Sequence, residues 1–211
     1  MHICAPRDFR LLQDACEATG VLLIADEVAT GFGRTGTMFA VEQCGLAPDL
    51  IALGKGLTGG YLPMSATAAS QRVYEAFLGE DLGPRTLYHG HSYSGNALAA
   101  AVALRHLQLL TEWNVLDNVR ARSAQLGDLL HEHVASLDEV VDVRLCGLMC
   151  GVELSSTELH GRRVCAAAVR RGVLLRPLGD VVVIMPPLTI TKDETMRIVT
   201  TLVDAIQEAG V

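Results

Sequence analysis

The chain has 211 residues, a net charge of −7, and a composition that is 50% hydrophobic but only 4% aromatic. That acidic balance argues against nucleic acid or anionic membrane as a principal partner, and no apolar run approaches the length that spans a bilayer. The opening MHICAPRDFR lacks the basic start and apolar core of a secretory signal, so a cytoplasmic protein with an aliphatic core is expected, in one large or two small domains.

In chain order, Asp8–Thr19 has the apolar spacing of an amphipathic helix stopped by Gly20. Val21–Ala25 and Asp49–Leu53 are apolar throughout and too short for helices, so each is predicted as a buried parallel strand. The first runs into Asp26 and the second into Gly54-Lys55. Ligands of open α/β sheets bind at the carboxyl ends of the strands, which brings a carboxylate and an amine to one crevice. A lysine and an acid so placed suit pyridoxal phosphate chemistry, as Schiff-base former and partner of the ring nitrogen. They suit equally an ion pair at a sheet edge.

Between these strands, Gly31–Gly36 (GFGRTG) is a literal G-x-G-x-x-G. A dinucleotide site would need a helix on the third glycine and an acid ending the next strand, whereas here the acid precedes the glycines. Thr58-Gly59-Gly60 predicts a turn, Leu62–Ala69 a third strand, Gln71–Leu78 a short helix and Gly79–Thr86 a surface loop. His89-Gly90-His91 would need further ligands to hold a metal, and none is evident. Asn96–Leu110 and Val115–Leu137 are predicted helices. Beyond Val140 short extended segments (Val141–Leu154, Val173–Arg176, Val181–Met185) alternate with helices over His160–Arg171 and Asp193–Ala209. Six scattered cysteines are expected to be reduced thiols, and Cys146-x-x-x-Cys150 fits neither a thioredoxin-type pair nor a zinc site.

Three blocks carry a resemblance: LLIADEVATGFGRTG (Leu22–Gly36), PDLIALGKGLTGGYLP (Pro48–Pro63) and YHGHSYSGNALAAAVAL (Tyr88–Leu104). In this order they are similar to the class III, fold-type I aminotransferases, and the likeness covers essentially the whole chain. RPLGDVVVIMPPLTIT (Arg176–Thr191) resembles the biotin-pathway branch, which converts 8-amino-7-oxononanoate to 7,8-diaminononanoate.

The resemblance implies an α/β fold. Residues 1–112 would form the C-terminal part of a large domain, with a mostly parallel sheet and helices. A linking helix would span 113–139, and a small α+β domain 140–211. It implies pyridoxal 5'-phosphate as cofactor, with Lys55 and Asp26 catalytic and Val28 against one ring face. Ser92 would contact the cofactor phosphate of the other subunit of a homodimer, and the Gly31–Gly36 loop would lie near the dimer interface. Arg176 would hold the carboxylate of the keto substrate, a task suited to a guanidinium fork. The amino donor would be S-adenosylmethionine or, in a smaller branch, lysine. Many users of S-adenosylmethionine carry an aromatic where this chain has Val183. Family members also carry an N-terminal half with a Gly-Ser phosphate loop and a stacking aromatic, so the chain is expected to be the C-terminal half of such an enzyme. Other ω-aminotransferases of the class, or an inactive fragment, are the alternatives.

Overall fold

The computed structural model describes residues 2–155 and 160–210. It divides into two compact units, one of Cys4–Phe32 with Thr37–Trp113, the other of Asn114–Val211 with Met1–Ile3 and Gly33–Gly36.

The first unit opens with α1 (Pro6–Thr19), which starts on a proline at its first helical position. It ends where Gly20, at φ 71°, returns its N–H to Cys16. Next come β1 (Ile24–Asp26), α2 (Ala40–Cys44), β2 (Leu50–Leu53), a 3-10 turn at Lys55–Thr58, β3 (Ala66–Ala69), α3 (Gln71–Glu75) and α4 (Ala97–Glu112). The parallel pair is present, with Ile24 opposite Leu50 and Asp26 opposite Ala52. β3 joins β2 antiparallel, because the connection between them holds one short turn and no helix that could carry the chain back for a parallel crossover. The predicted burial of the two strands is not met. Val21, Leu22 and Ile24 are exposed, as are Phe9, Leu11 and Leu12 of α1. Their apolar pattern is that of covered surfaces, but no element among the described residues covers them.

The second unit is built from α5 (Val115–His133), β4 (Val140–Cys146), β5 (Met149–Leu154), α6 (His160–Arg170), β6 (Arg176–Leu178), β7 (Val181–Ile184) and α7 (Lys192–Ala209). Its sheet is antiparallel in the order β4-β5-β7-β6. The single extended segment predicted over Val141–Leu154 is a hairpin turned at Gly147, whose φ is 59°. Val119, Leu126 and Leu130 of α5 and Val152 and Leu154 of β5 are buried in its core, with Val164 of α6, Val182 and Ile184 of β7, and Val199, Leu202 and Ile206 of α7. The helix expected to link the two parts therefore packs within this unit. Thr191 caps α7: its hydroxyl accepts from Glu194 N–H while the Glu194 carboxylate accepts from Thr191 N–H.

No helix among the described residues is long and apolar enough to cross a membrane. Burial pushes the Cys150 thiol up to about 12 and the Cys165 thiol up to about 11, so both stay protonated at neutral pH. Cys146 lies opposite Met149 and Cys150 opposite Leu145 in the hairpin, so the two thiols are not cross-strand partners.

Candidate active site

The β1–β2 register sets the site. With Asp26 opposite Ala52 in a parallel pair, Lys55 follows just beyond the same strand end, so Asp26 and Lys55 share the carboxyl edge that the sequence pattern predicts. Asp26 Oδ1 accepts from Val28 N–H at 2.9 Å, which fixes the backbone two residues on. A Cβ placed on Gly54 would meet Val28 Cγ1 at 3.3 Å. Glycine there lets Val28 close over the residue preceding Lys55.

Lys55 adopts φ 40°, an uncommon left-handed conformation for a residue with a Cβ. It opens the 3-10 turn, closed by Leu57 N–H to Gly54 O at 2.9 Å and Gly59 N–H to Gly56 O at 3.1 Å. Leu57 and Thr58 are buried, and the Thr58 hydroxyl donates to Leu62 O at 2.5 Å. Lys55 itself is exposed. It borders an open pocket of about 1130 Å³ lined also by Val28, Gly54, Leu62, Asn96 and Ala99. Asn96 caps α4 beside this pocket, its Oδ1 accepting from Leu98 N–H at 3.0 Å. Lys55 and Lys192 are the only lysines in the chain.

Ser92 is exposed in the loop before α4 and is not part of that pocket's lining, although His91, Tyr93 and Ser94 are. His91 Nδ1 accepts from Tyr93 N–H at 3.1 Å, an ordinary turn contact. Among the described residues no group of three His, Cys, Asp or Glu side chains could hold a metal ion. Arg176 stands in the second unit, exposed at the start of β6 and directly opposite Val183. In the same unit Arg34, from the glycine-rich loop, donates to Leu148 O at 3.2 Å and Pro186 O at 2.6 Å. Burial lowers its pKa.

Glu27 escaped the sequence reading. It is only 2% exposed. Its Oε1 accepts from Val41 N–H at 2.8 Å and its Oε2 from the Thr30 hydroxyl. Strand alternation could have found it, because the residue after an exposed Asp26 points to the opposite side of the sheet.

A family model for class-III aminotransferases matches residues 1–206. The chain belongs to that family. Among curated class-III relatives, the adenosylmethionine-8-amino-7-oxononanoate aminotransferase of Nitratidesulfovibrio vulgaris is 47% identical over 207 residues, covering 93% of this chain and 38% of the relative. The protein of that name from Methanocaldococcus jannaschii is 40% identical over 212 residues, covering 92% of this chain and 45% of the relative. The crystal structure of a Methanocaldococcus jannaschii protein of that name superposes with a TM-score of 0.88 at 38% identity, over 95% of this chain and 49% of the other. An amine transaminase from an uncultivated Pseudomonas species, solved in its PLP-bound form, gives 0.90 at 36% identity, over 97% of this chain and 48% of the other. The chain thus spans about half the length of the relatives it matches, and its fold is the α/β fold of the PLP-dependent transaminases.

Proposed function

We propose that this chain supplies the lysine-bearing site of a pyridoxal phosphate-dependent aminotransferase that converts 8-amino-7-oxononanoate to 7,8-diaminononanoate in biotin synthesis. It would work in the cytoplasm as a homodimer, with S-adenosylmethionine as donor. The observation that carries the reading is the parallel register that gives Asp26 and Lys55 one strand edge, with Val28 packed on Gly54, the residue before the lysine. The names of the relatives supply the substrate.

The residues present fit the cofactor. A glycine that lets Val28 approach, a primary amine on an open pocket and an acid at the same edge are the donor set such a ring requires. Pyridoxal phosphate, when bound, supplies a carbonyl that condenses with amines and a ring that accepts the electron pair released at the donor carbon. Asp26 holds a proton at the ring nitrogen, and its tie to Val28 N–H fixes the carboxylate for that task. Val28 covers one ring face. Lys55 Nζ would hold the cofactor's carbonyl carbon and, as general acid–base, would move the proton at the donor Cα. Ser92 offers a hydroxyl to the phosphate bound by the other subunit. Arg176 holds the substrate carboxylate through a bidentate pair. Lysine is the alternative donor, favoured by Val183, which stands opposite Arg176 and brings no aromatic hydroxyl.

The test is product formation from 8-amino-7-oxononanoate, followed by mass spectrometry. The chain is assayed alone and with the amino-terminal half of the Methanocaldococcus relative supplied in trans. 7,8-Diaminononanoate formed with S-adenosylmethionine supports the reading, and product with lysine alone reverses the donor. Conversion only of ornithine or 4-aminobutyrate to their aldehydes would replace the biotin assignment with another ω-aminotransferase.

A further inference from the structure

The turn that presents Lys55 rests on α4. Ala99, Ala103, His106 and Leu110 recur at the spacing of one helix face, and Ala99, Ala103 and Leu110 are buried. The two alanines leave this face shallow, and the Lys55–Thr58 turn packs against the helix. Where the turn closes, at Gly59 with φ 62°, an added Cβ would stand 2.9 Å from His106 Cδ2 and 3.3 Å from Nε2. The imidazole also faces the backbone of Leu57, a contact that acts to raise its pKa. Its Nδ1 is buried without a hydrogen-bond partner among the described residues. Burial lowers the His106 pKa, outweighing the Leu57 contact that acts to raise it, so the ring is neutral at pH 7.

A lysine with φ 40° keeps that backbone only if its surroundings over-determine it. One side of the turn is fixed by β2. The other is fixed by the Thr58 hydroxyl on Leu62 O and by the imidazole lying on Gly59 and Leu57. We infer that His106 is a positioning residue for Lys55: it clamps the Leu57–Gly59 end of the turn to α4 and so holds the lysine in its left-handed conformation at the pocket. It acts through the turn and takes no part in the chemistry. The inference rests on the reading of Lys55 as the cofactor lysine.

Two measurements on the 211-residue chain test it. In the first, pyridoxal phosphate and borohydride are added and the pyridoxyl adduct is mapped by mass spectrometry, with Lys192 as the internal reference. In the second, without cofactor, amide exchange is followed in the peptide that spans the turn. His106→Leu is expected to lower the Lys55:Lys192 adduct ratio about tenfold, equivalent to about 1.4 kcal/mol, and to speed exchange in the turn. His106→Gln, which keeps an N–H able to reach the Leu57 backbone, restores most of both. Gly59→Ala disturbs the same contact from the other side and lowers the ratio in the same way, so the test survives if His106→Leu does not fold. A wild-type chain that favours Lys55, with folded variants that match it in ratio and exchange, overturns the inference alone. A wild-type chain with no preference for Lys55 over Lys192 removes the functional reading and the inference with it.

Discussion

Replacing Glu27 isolates what a buried carboxylate does next to the site. Its two oxygens serve the Val41 N–H at 2.8 Å and the Thr30 hydroxyl. Val41 lies in the first turn of α2, where no Phe39 side chain caps the helix, so Glu27 acts as its cap through space. A hydrogen bond to a charged acceptor contributes about 1.5–3 kcal/mol, and a buried donor left unmade costs about 1–3 kcal/mol. Against this stands the cost of burying the charge, which an apolar replacement of the same shape removes. Glu27→Gln keeps one acceptor and is expected to cost about 1 kcal/mol. Glu27→Met keeps the volume but strands Val41 N–H, and is expected to cost about 2–3 kcal/mol. Urea unfolding followed by the fluorescence of the single tryptophan, Trp113, reads the unit that contains Glu27. At an m-value of about 1.5 kcal/mol/M, each kcal/mol moves the midpoint by about 0.7 M. A Glu27→Met protein as stable as the wild type would refute the reasoning, because desolvation of the carboxylate would then outweigh its hydrogen bonds.

Three further outcomes follow from the geometry. Gly147→Ala combines a left-handed backbone with a Cβ that would overlap the backbone of Arg34 and Thr35. It should destabilise the second unit by about 2 kcal/mol or more, seen as a lower melting temperature by circular dichroism. The Cys150 thiol, raised from 9.0 to about 12 when folded, keeps its proton where the unfolded chain loses it. Stability is therefore full below about pH 9 and falls as pH rises towards 12, and Cys150→Ala should flatten that alkaline slope in pH-dependent urea titrations. Asp26→Asn should leave cofactor binding measurable by absorbance but cut the rate of Cα proton exchange in the donor by about a hundredfold or more, as expected when a protonating partner is lost; an unchanged rate would remove Asp26 from the chemistry.

The edge shared by Asp26 and Lys55 was legible because it depends on local facts: two short apolar runs, each ending on a charged residue. Burial of those runs was not, since it depends on what covers the sheet, and Ile24 stands 64% exposed. The five-residue α2 left no periodic signal, and its start is fixed by Glu27 from fourteen residues upstream. The β4–β5 hairpin read as one strand because Gly147-Leu148 is a tight turn within a continuous apolar run, with Leu148 N–H held by Arg34 O at 2.9 Å. His106 carried no signal at all. On an Ala/Leu helix it is one polar residue among many, and only its approach to Gly59 gives it a role.

The account stands or falls on Lys55 as the amine that carries the cofactor. With only two lysines in the chain, borohydride reduction in the presence of excess pyridoxal phosphate, followed by peptide mapping, decides it directly. The expected result is an adduct concentrated on Lys55, diminished when an amino donor is added before the borohydride and absent from Lys55→Ala. An adduct divided evenly between Lys55 and Lys192, or one found on Lys192 alone, would contradict it.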